Sequence, residues 1–481
     1  MKGFLLTSIL TAVSVLACSP GPVRQEWRQL SSGQQQAYLN AINQLNQRQD
    51  DTSNDSTDPA TWSFAHFAIV HARYQQANHN QGSVQAPPFF AWHRIFLHYY
   101  EKALQSIDSS VVLPYWDWTQ DSQNPLSSDV YAQLGGNGQG ASGCMETNPL
   151  NGWSSAVNGG CLKRCSGAGQ TLYPAGAVVS LMNGSPNYAA LNRQIQDGPH
   201  GAVHNVIGGR CADGGVGDMY TMSSAGDPIF YMHHAMVDKI WMMWQDACPS
   251  KFANDYSAAV NSVMAPFTQT AQDVLNFKAS DGNFCYGYSS SGINSVQLNK
   301  CAGAPGTPTQ SGDSAAPSAT APADSVDQYF AELRLLDLIP NSADILKALF
   351  PGFSNSNINT ISHFMHSPAS KAKAKRDYLS YGNFTSVPDV IPTYQLNPGY
   401  KIKAPCQNDT TDLYNLRHPT PLDKDYIKMM NVDEKSARHV EYLAKLAVDD
   451  MNNMEGYVPY SALINFNAHN KLGLFKPKQS N

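Results

Sequence analysis

Residues 227–246 read DPIFYMHHAMVDKIWMMWQD. Asp227-Pro228 reads as a helix start, because proline's fixed φ and missing N–H suit a first turn. The apolar and aromatic residues that follow keep helical spacing, so the stretch predicts a long buried helix. It carries two adjacent histidines, His233 and His234. Adjacent helix positions point about 100° apart, so only one should face a common centre. His234 has Asp238 one turn further along its own face.

Upstream, PHGAVH (199–204) places His200 and His204 four residues apart. Such a pair shares one helical face at about 6 Å, with Pro199 suited to the first turn. Two further helical stretches are SFAHFAIVHARY (63–74) and FFAWHRIFLHYYEKALQSI (89–107). Nine of the fourteen histidines lie between residues 66 and 234. They form two groups: His66, His71, His79, His93 and His98, then His200, His204, His233 and His234. Imidazole is a neutral nitrogen ligand suited to copper, zinc, iron or nickel, so the clustering points to metal. His66 and His98 each stand five residues from another candidate, beyond the best same-face offset, and read as packing residues. Neither the HExxH of zinc proteases nor a GxSxG nucleophile elbow is present.

The 481 residues allow two or three domains at about 150 residues each. Lys+Arg 32 against Asp+Glu 38 leaves a net charge of −6, which argues against a nucleic-acid binder. After residue 17 no apolar run approaches the ~18 residues of a membrane span. The opening MKGFLLTSILTAVSVLA (1–17) reads as a secretory signal peptide. VLAC also resembles a bacterial lipoprotein cleavage site, which leaves a lipid anchor as the minor alternative. Nine cysteines and four N-glycosylation sequons, at Asn54, Asn183, Asn383 and Asn408, agree with a secreted or secretory-pathway address. The cysteine count is odd, so at least one is unpaired or lost, and the sequence does not assign the bridges.

RQEWRQLSSGQQQAYLNAINQLNQ (24–47) places Trp27, Leu30, Tyr38, Ile42 and Leu45 at helical spacing. Val111 to Gly217 is rich in Gly, Ser, Asn and Pro and predicts long irregular structure pinned by disulfides. Residues 302–325, AGAPGTPTQSGDSAAPSATAPADS, form a low-complexity linker. The extension at 326–481 has helical stretches near DQYFAELRLLDLI and ARHVEYLAKLAVDDMNNM. The expected fold class is mainly α, with long loops and a smaller, mostly helical C-terminal extension.

FAIVHARYQQANH, FFAWHRIFLHYYEKAL, LPYWDWT, DGPHGAVHNVIGG and DPIFYMHHAMVDKIWMMWQ, in this order between residues 64 and 245, resemble the type 3 copper proteins. These are tyrosinases, catechol oxidases and haemocyanins, and VRQEWRQLS resembles secreted fungal members. The resemblance implies a four-helix-bundle dicopper domain over residues 18–301. It implies two copper ions, the first held by His71, His79 and His93 and the second by His200, His204 and His234. His66 is the rival for the first place. Tyr286 to Tyr288, YGY, resembles the motif that closes the copper domain.

Three departures from the pattern stand out. His79 to His93 spans fourteen residues where members usually have nine. Ala77 and Asn78 precede His79, so no cysteine is placed for a thioether crosslink. Gly201 occupies the position where strong monophenol hydroxylators have Asn; Asn205 follows the second ligand instead, and Asp197 corresponds to the water-orienting acid. The resemblance implies oxidation of o-diphenols, and of monophenols more weakly, to o-quinones with O2, in pigment or phenolic metabolism. The partners it implies are O2 and small phenols, with neither nucleic acid nor membrane. The rivals are a haemocyanin-like O2 carrier and a mononuclear zinc hydrolase using His200 and His204. Fungal members often carry an extension that covers the copper site until a protease removes it, which residues 326–481 resemble in placement. The linker at 302–325 looks cleavable, and Lys375-Arg376 in KAKAKR offers a second processing site, against its reading as a solvated charge patch.

Overall fold

A computed structural model describes residues 21–55, 57–74, 79, 88–248, 261–275, 284–296, 298–299 and 416–453. The expected signal peptide, the linker, the stretch near DQYFAELRLLDLI, Lys375-Arg376 and two of the sequons (Asn383, Asn408) lie outside the described residues.

The described structure is mainly α, as expected. Helix α1 (Ser32–Gln47) starts at a capping box in which Ser31 and Gln34 satisfy each other's backbone N–H. This places Trp27 in a short 3-10 turn, so the helix expected over 24–47 begins only at Ser32. Upstream, β1 (Val23–Arg24) pairs in parallel with β2 (Gly287–Tyr288), so the YGY segment lies beside residues 23–24. Arg24 is fully buried between Glu101 at 2.8 Å and the ring of Tyr286 at 4.0 Å.

Four helical elements carry the histidines. They are α2 (Phe64–Arg73), α3 (Phe89–Gln105), a composite helix and a long C-terminal helix of this domain. Ser63 caps α2 by accepting from the His66 N–H. After α3 come α4 (Asp129–Gln133), α5 (Ala175–Asn183) and α6 (Tyr188–Ile195). These helices correct the expectation of irregular structure throughout 111–217. The apolar run AGAVVSLMN makes α5 a buried helix despite its Gly and Pro surroundings. Irregular structure does occupy 134–174, and the disulfides Cys144–Cys161 and Cys165–Cys211 hold it.

Helix α6 runs through a π-helical turn at Gln196–His200 into α7 (Gly201–Gly208). Pro199 therefore does not open a helix, as its sequence context suggests. It sits inside the π turn, where its missing N–H removes one i→i−4 bond and the Gly201 N–H reaches back to the Gln196 carbonyl. Helix α8 (Ile229–Ala247) starts at Asp227, whose carboxylate accepts the Ile229 N–H at 3.0 Å. The same carboxylate takes two bonds of 2.6 Å from the buried Arg164 guanidinium, tying α8 to the disulfide-held loop.

Helix α3 packs on α8 through stacked Tyr100 and Tyr231, centroids 3.5 Å apart. Asp238 accepts from Arg94 Nε at 2.6 Å and from the hydroxyls of Tyr286 and Tyr288 at 2.6 and 2.8 Å. Asp238 thus orients an arginine, Arg94, the neighbour of His93. Trp92, Trp116, Trp118 and Glu101 are buried in the core. Short helix α9 (Ala271–Leu275) packs against α3.

The C-terminal segment forms α10 (Lys424–Met429) and α11 (Glu434–Asn453). Helix α11 lies along α5 and onto the π turn. Thr420 and Thr171 exchange backbone and side-chain hydrogen bonds, and Arg210 pairs with Asp423 at 2.8 Å.

Candidate metal centre

Seven imidazoles converge where α2, α3, the π turn, α7 and α8 meet. His71 comes from α2, His93 from α3, His200 from the π turn, His204 from α7, and His233 and His234 from α8. His79 comes from the segment between α2 and α3 and is not helical. None is more than 5% exposed. The ligand atoms of His71, His79 and His93 lie within 4.8 Å of one another, and so do those of His200, His204, His233 and His234. The two groups touch: His93 stacks on His234 at 4.2 Å, and His79 and His200 are 5.8 Å apart.

Backbone carbonyls set the tautomers. Nδ1 of His71 donates to Met222 O at 3.0 Å, His93 to Phe89 O at 2.8 Å, His200 to Gln196 O at 3.0 Å and His204 to Met219 O at 2.8 Å. A carbonyl only accepts, so in each ring the proton sits on Nδ1 and the lone pair on Nε2. Nε2 of His93 and of His200 is buried and hydrogen-bonded to nothing among the described residues. Nε2 of His204 and of His234 lie 3.3 Å apart.

Burial holds His71 down at about 4, against the weaker opposing pull of its bond to Met222. Burial likewise lowers His204 to about 3 and pushes His79, His93, His200, His233 and His234 well below the usual imidazole range, with neighbouring imidazoles adding to it. A set of neutral, buried, preoriented nitrogen donors with open lone pairs fits copper. Phe89, whose ring is 4.8 Å from His93 and 4.7 Å from His200, and Phe230, 4.8 Å from His71 and 4.1 Å from His234, line the group and keep water out.

His233 is the residue that helical geometry alone misjudges. The expectation that only one of the two adjacent histidines faces the centre does not hold. His233 stacks on His200 at 5.3 Å while His234 meets His93 from the other side. Both rings border the same pair, His233 at 5.3 and 5.1 Å from His200 and His204 and His234 at 5.0 and 5.5 Å. His66 and His98 stay outside the group. His66 lies between Asp50 and Asp55, and His98 packs on Phe284 at 4.5 Å.

Asp197 and Asn205 flank the second group on the π turn and α7, and both are buried. Each meets the C-terminal segment. Ser436 Oγ donates to Asp197 Oδ2 at 3.3 Å, and the Asp423 N–H donates to Asn205 Oδ1 at 3.2 Å. Gly201 is covered from the same side: a Cβ there would lie 3.4 Å from both Leu422 methyl carbons.

The common central domain of tyrosinase matches residues 61–247. A tyrosinase from Streptomyces lincolnensis is 32% identical over 202 residues, covering 37% of this chain and 71% of that protein. The chain belongs to the tyrosinase family. A tyrosinase-like protein, phomQ1, of Diaporthe leptostromiformis is 30% identical over 266 residues, 48% of this chain. The match spans 64% of that relative's length. Among solved structures, a polyphenol oxidase from Thermothelomyces thermophila aligns at 22% identity and a TM-score of 0.44, covering 56% of this chain and 89% of that one. The tyrosinase family is one of binuclear copper proteins, and the two histidine groups lie within or at the edges of its central domain here. Among the described residues no helix is long and apolar enough to cross a membrane.

Proposed function

We propose that this tyrosinase-family chain is a secreted phenol oxidase that converts o-diphenols, and monophenols more weakly, to o-quinones. His71, His79 and His93 would hold one copper, and His200, His204 and His234 the other. His234 is preferred to His233 because its Nε2 lies 3.3 Å from Nε2 of His204 and its ring borders the first group. The observation that carries the reading is the contact of two imidazole groups whose lone pairs turn inward from carbonyl-fixed rings. A mononuclear zinc hydrolase would need only the second group and leaves the first unexplained.

Bound copper supplies two-electron redox chemistry with O2; two diphenols give four electrons and four protons, yielding two quinones and two waters. The protein's own tasks are to hold the imidazoles neutral, exclude water and orient the phenol. In this reading Asp197 and Asn205 would orient a water that takes the phenolic proton. Gly201 has no side chain to hold such a water, which favours diphenol oxidation over monophenol hydroxylation.

The C-terminal segment supports a latent state in this reading. Leu422, Asp423 and Ser436 lie over Gly201, Asn205 and Asp197, so residues 416–453 would cover the second copper's flank until a protease frees it. The same cover favours a second reading, a haemocyanin-like O2 carrier closed to phenols. Copper analysis and catechol turnover of the full chain, before and after limited proteolysis, separate them. Two coppers and turnover that rises on proteolysis support the oxidase. Two coppers without turnover in either state leave the carrier, and one metal per chain overturns both.

A further inference from the structure

The copper reading makes no use of His66, yet its surroundings are unusual for a core residue. It lies on α2 five positions before His71 and is fully buried. Nδ1 is 2.7 Å from Asp50 Oδ2 and Nε2 is 3.0 Å from Asp55 Oδ1. One face of the ring stacks on Trp62, centroids 4.3 Å apart and planes 13° from parallel. Both ring nitrogens thus meet a carboxylate oxygen at hydrogen-bond distance, and the ring bridges Asp50 and Asp55.

Each carboxylate reaches a different end of α2. Asp50 Oδ2 also accepts the N–H of Ser63, the residue that caps the first turn. Asp55 takes Arg73 Nη1 at 2.6 Å and the Tyr74 hydroxyl at 3.1 Å, both at the last turn. Burial works against the Asp55 charge, but Arg73, His66 and Tyr74 outweigh it and hold its carboxyl below the usual range. The loop from Arg48 to Asp58 is thus fastened across the helix at three points, with His66 the central one. Beyond Tyr74 the chain continues to His79, which lies outside the described helices.

We propose that His66 is a positioning residue for the first metal site: by bridging Asp50 and Asp55 it fixes both ends of α2, and with them the presentation of His71 and His79. This rests on the reading that His71, His79 and His93 bind copper. The pairing touches neither His200 nor His204, so its influence is confined to one of the two sites.

Copper(I) affinity measured by chelator competition on the full-length chain tests this, using backgrounds that leave one site each. In His204→Ala, which keeps the first site, adding His66→Asn should weaken copper binding ~10- to 100-fold, the usual effect of losing a group that orients a ligand. In His71→Ala, which keeps the second site, the same change should leave affinity within about twofold. His66→Phe keeps the stacking on Trp62 without donors, and should lose as much as His66→Asn. Asp50→Asn, which leaves the ring in place, covers the case in which a His66 variant does not fold and should weaken the first site alone. Equal losses at both sites, no loss at the first, or retention by His66→Phe would each overturn the proposal. A parent chain that binds no copper would instead overturn the copper reading itself.

Discussion

His93 and His234 stack face to face, centroids 4.2 Å apart and planes within 12°, and this contact joins the two histidine groups. One ring comes from α3 and the other from α8, so the helix pair that builds the core also sets the spacing of the groups. Replacing His93 by alanine should remove the first site and leave the second. Metal analysis should then show one copper per chain in place of two, and diphenol turnover should fall more than ~100-fold, since losing an outer partner alone costs 10–100-fold. Two retained coppers would place the first ligand set elsewhere.

Val440 presses on Gly198 so closely that a Cβ there would lie 2.4 Å from its Cγ1. Gly198→Ala should push α11 off the π turn and raise the basal turnover of the full chain several-fold. Val440→Ala should relieve that clash in the double variant and bring turnover back toward the parent value, a coupling that double-mutant comparison isolates. Additive effects would mean that the contact does not hold the cover in place.

Burial of neutral histidines gives a definite pH dependence to the metal-free protein. The unfolded chain protonates His71 near 6.5, whereas the folded chain resists until about 4. Between those values the unfolded state holds the extra proton, so stability falls as pH drops. From pH 7 to pH 5, His71 alone should remove about 2 kcal/mol, and the other lowered imidazoles add to this. Urea midpoints of the apo protein should show the decline; a flat profile would mean the rings are charged or solvated.

Of the two sequons among the described residues, Asn54 is exposed, whereas Asn183 has a buried Nδ2 and an Oδ1 that accepts from the Asn299 N–H at 2.9 Å. Ser185 of the second sequon is itself buried and donates to Leu181 O. Glycopeptide mapping of secreted protein should find glycan at Asn54 and none at Asn183. Occupancy at Asn183 would show that the end of α5 opens before or after folding.

Much of the site was legible because its signals are local. The i,i+4 offset of His200 and His204 needs only one helical face, and the Asp-Pro start of α8 needs only its own first turn. The helices between Val111 and Gly217 were hidden because glycine and proline dominate the composition around them. Pro199 misled for a related reason: a π turn lets a helix continue through a proline that would otherwise begin or break one.

By itself the sequence determined the helical class, two histidine groups and the family strings, all of which reside in spacing along the chain. Tertiary structure alone decided that His233 joins His234, since that depends on where the π turn and α7 cross α8. It also decided the tautomers of His71 and His204, whose carbonyl partners are Met222, remote in sequence from α2, and Met219, in a 3-10 turn beyond α7. The same holds for Asp50 and Asp55 closing on His66, and for Ser436 and Asp423 reaching Asp197 and Asn205. Periodicity reports which face of its own helix a residue occupies, whereas hydrogen-bond partners follow from how separate elements pack, and no local pattern encodes that.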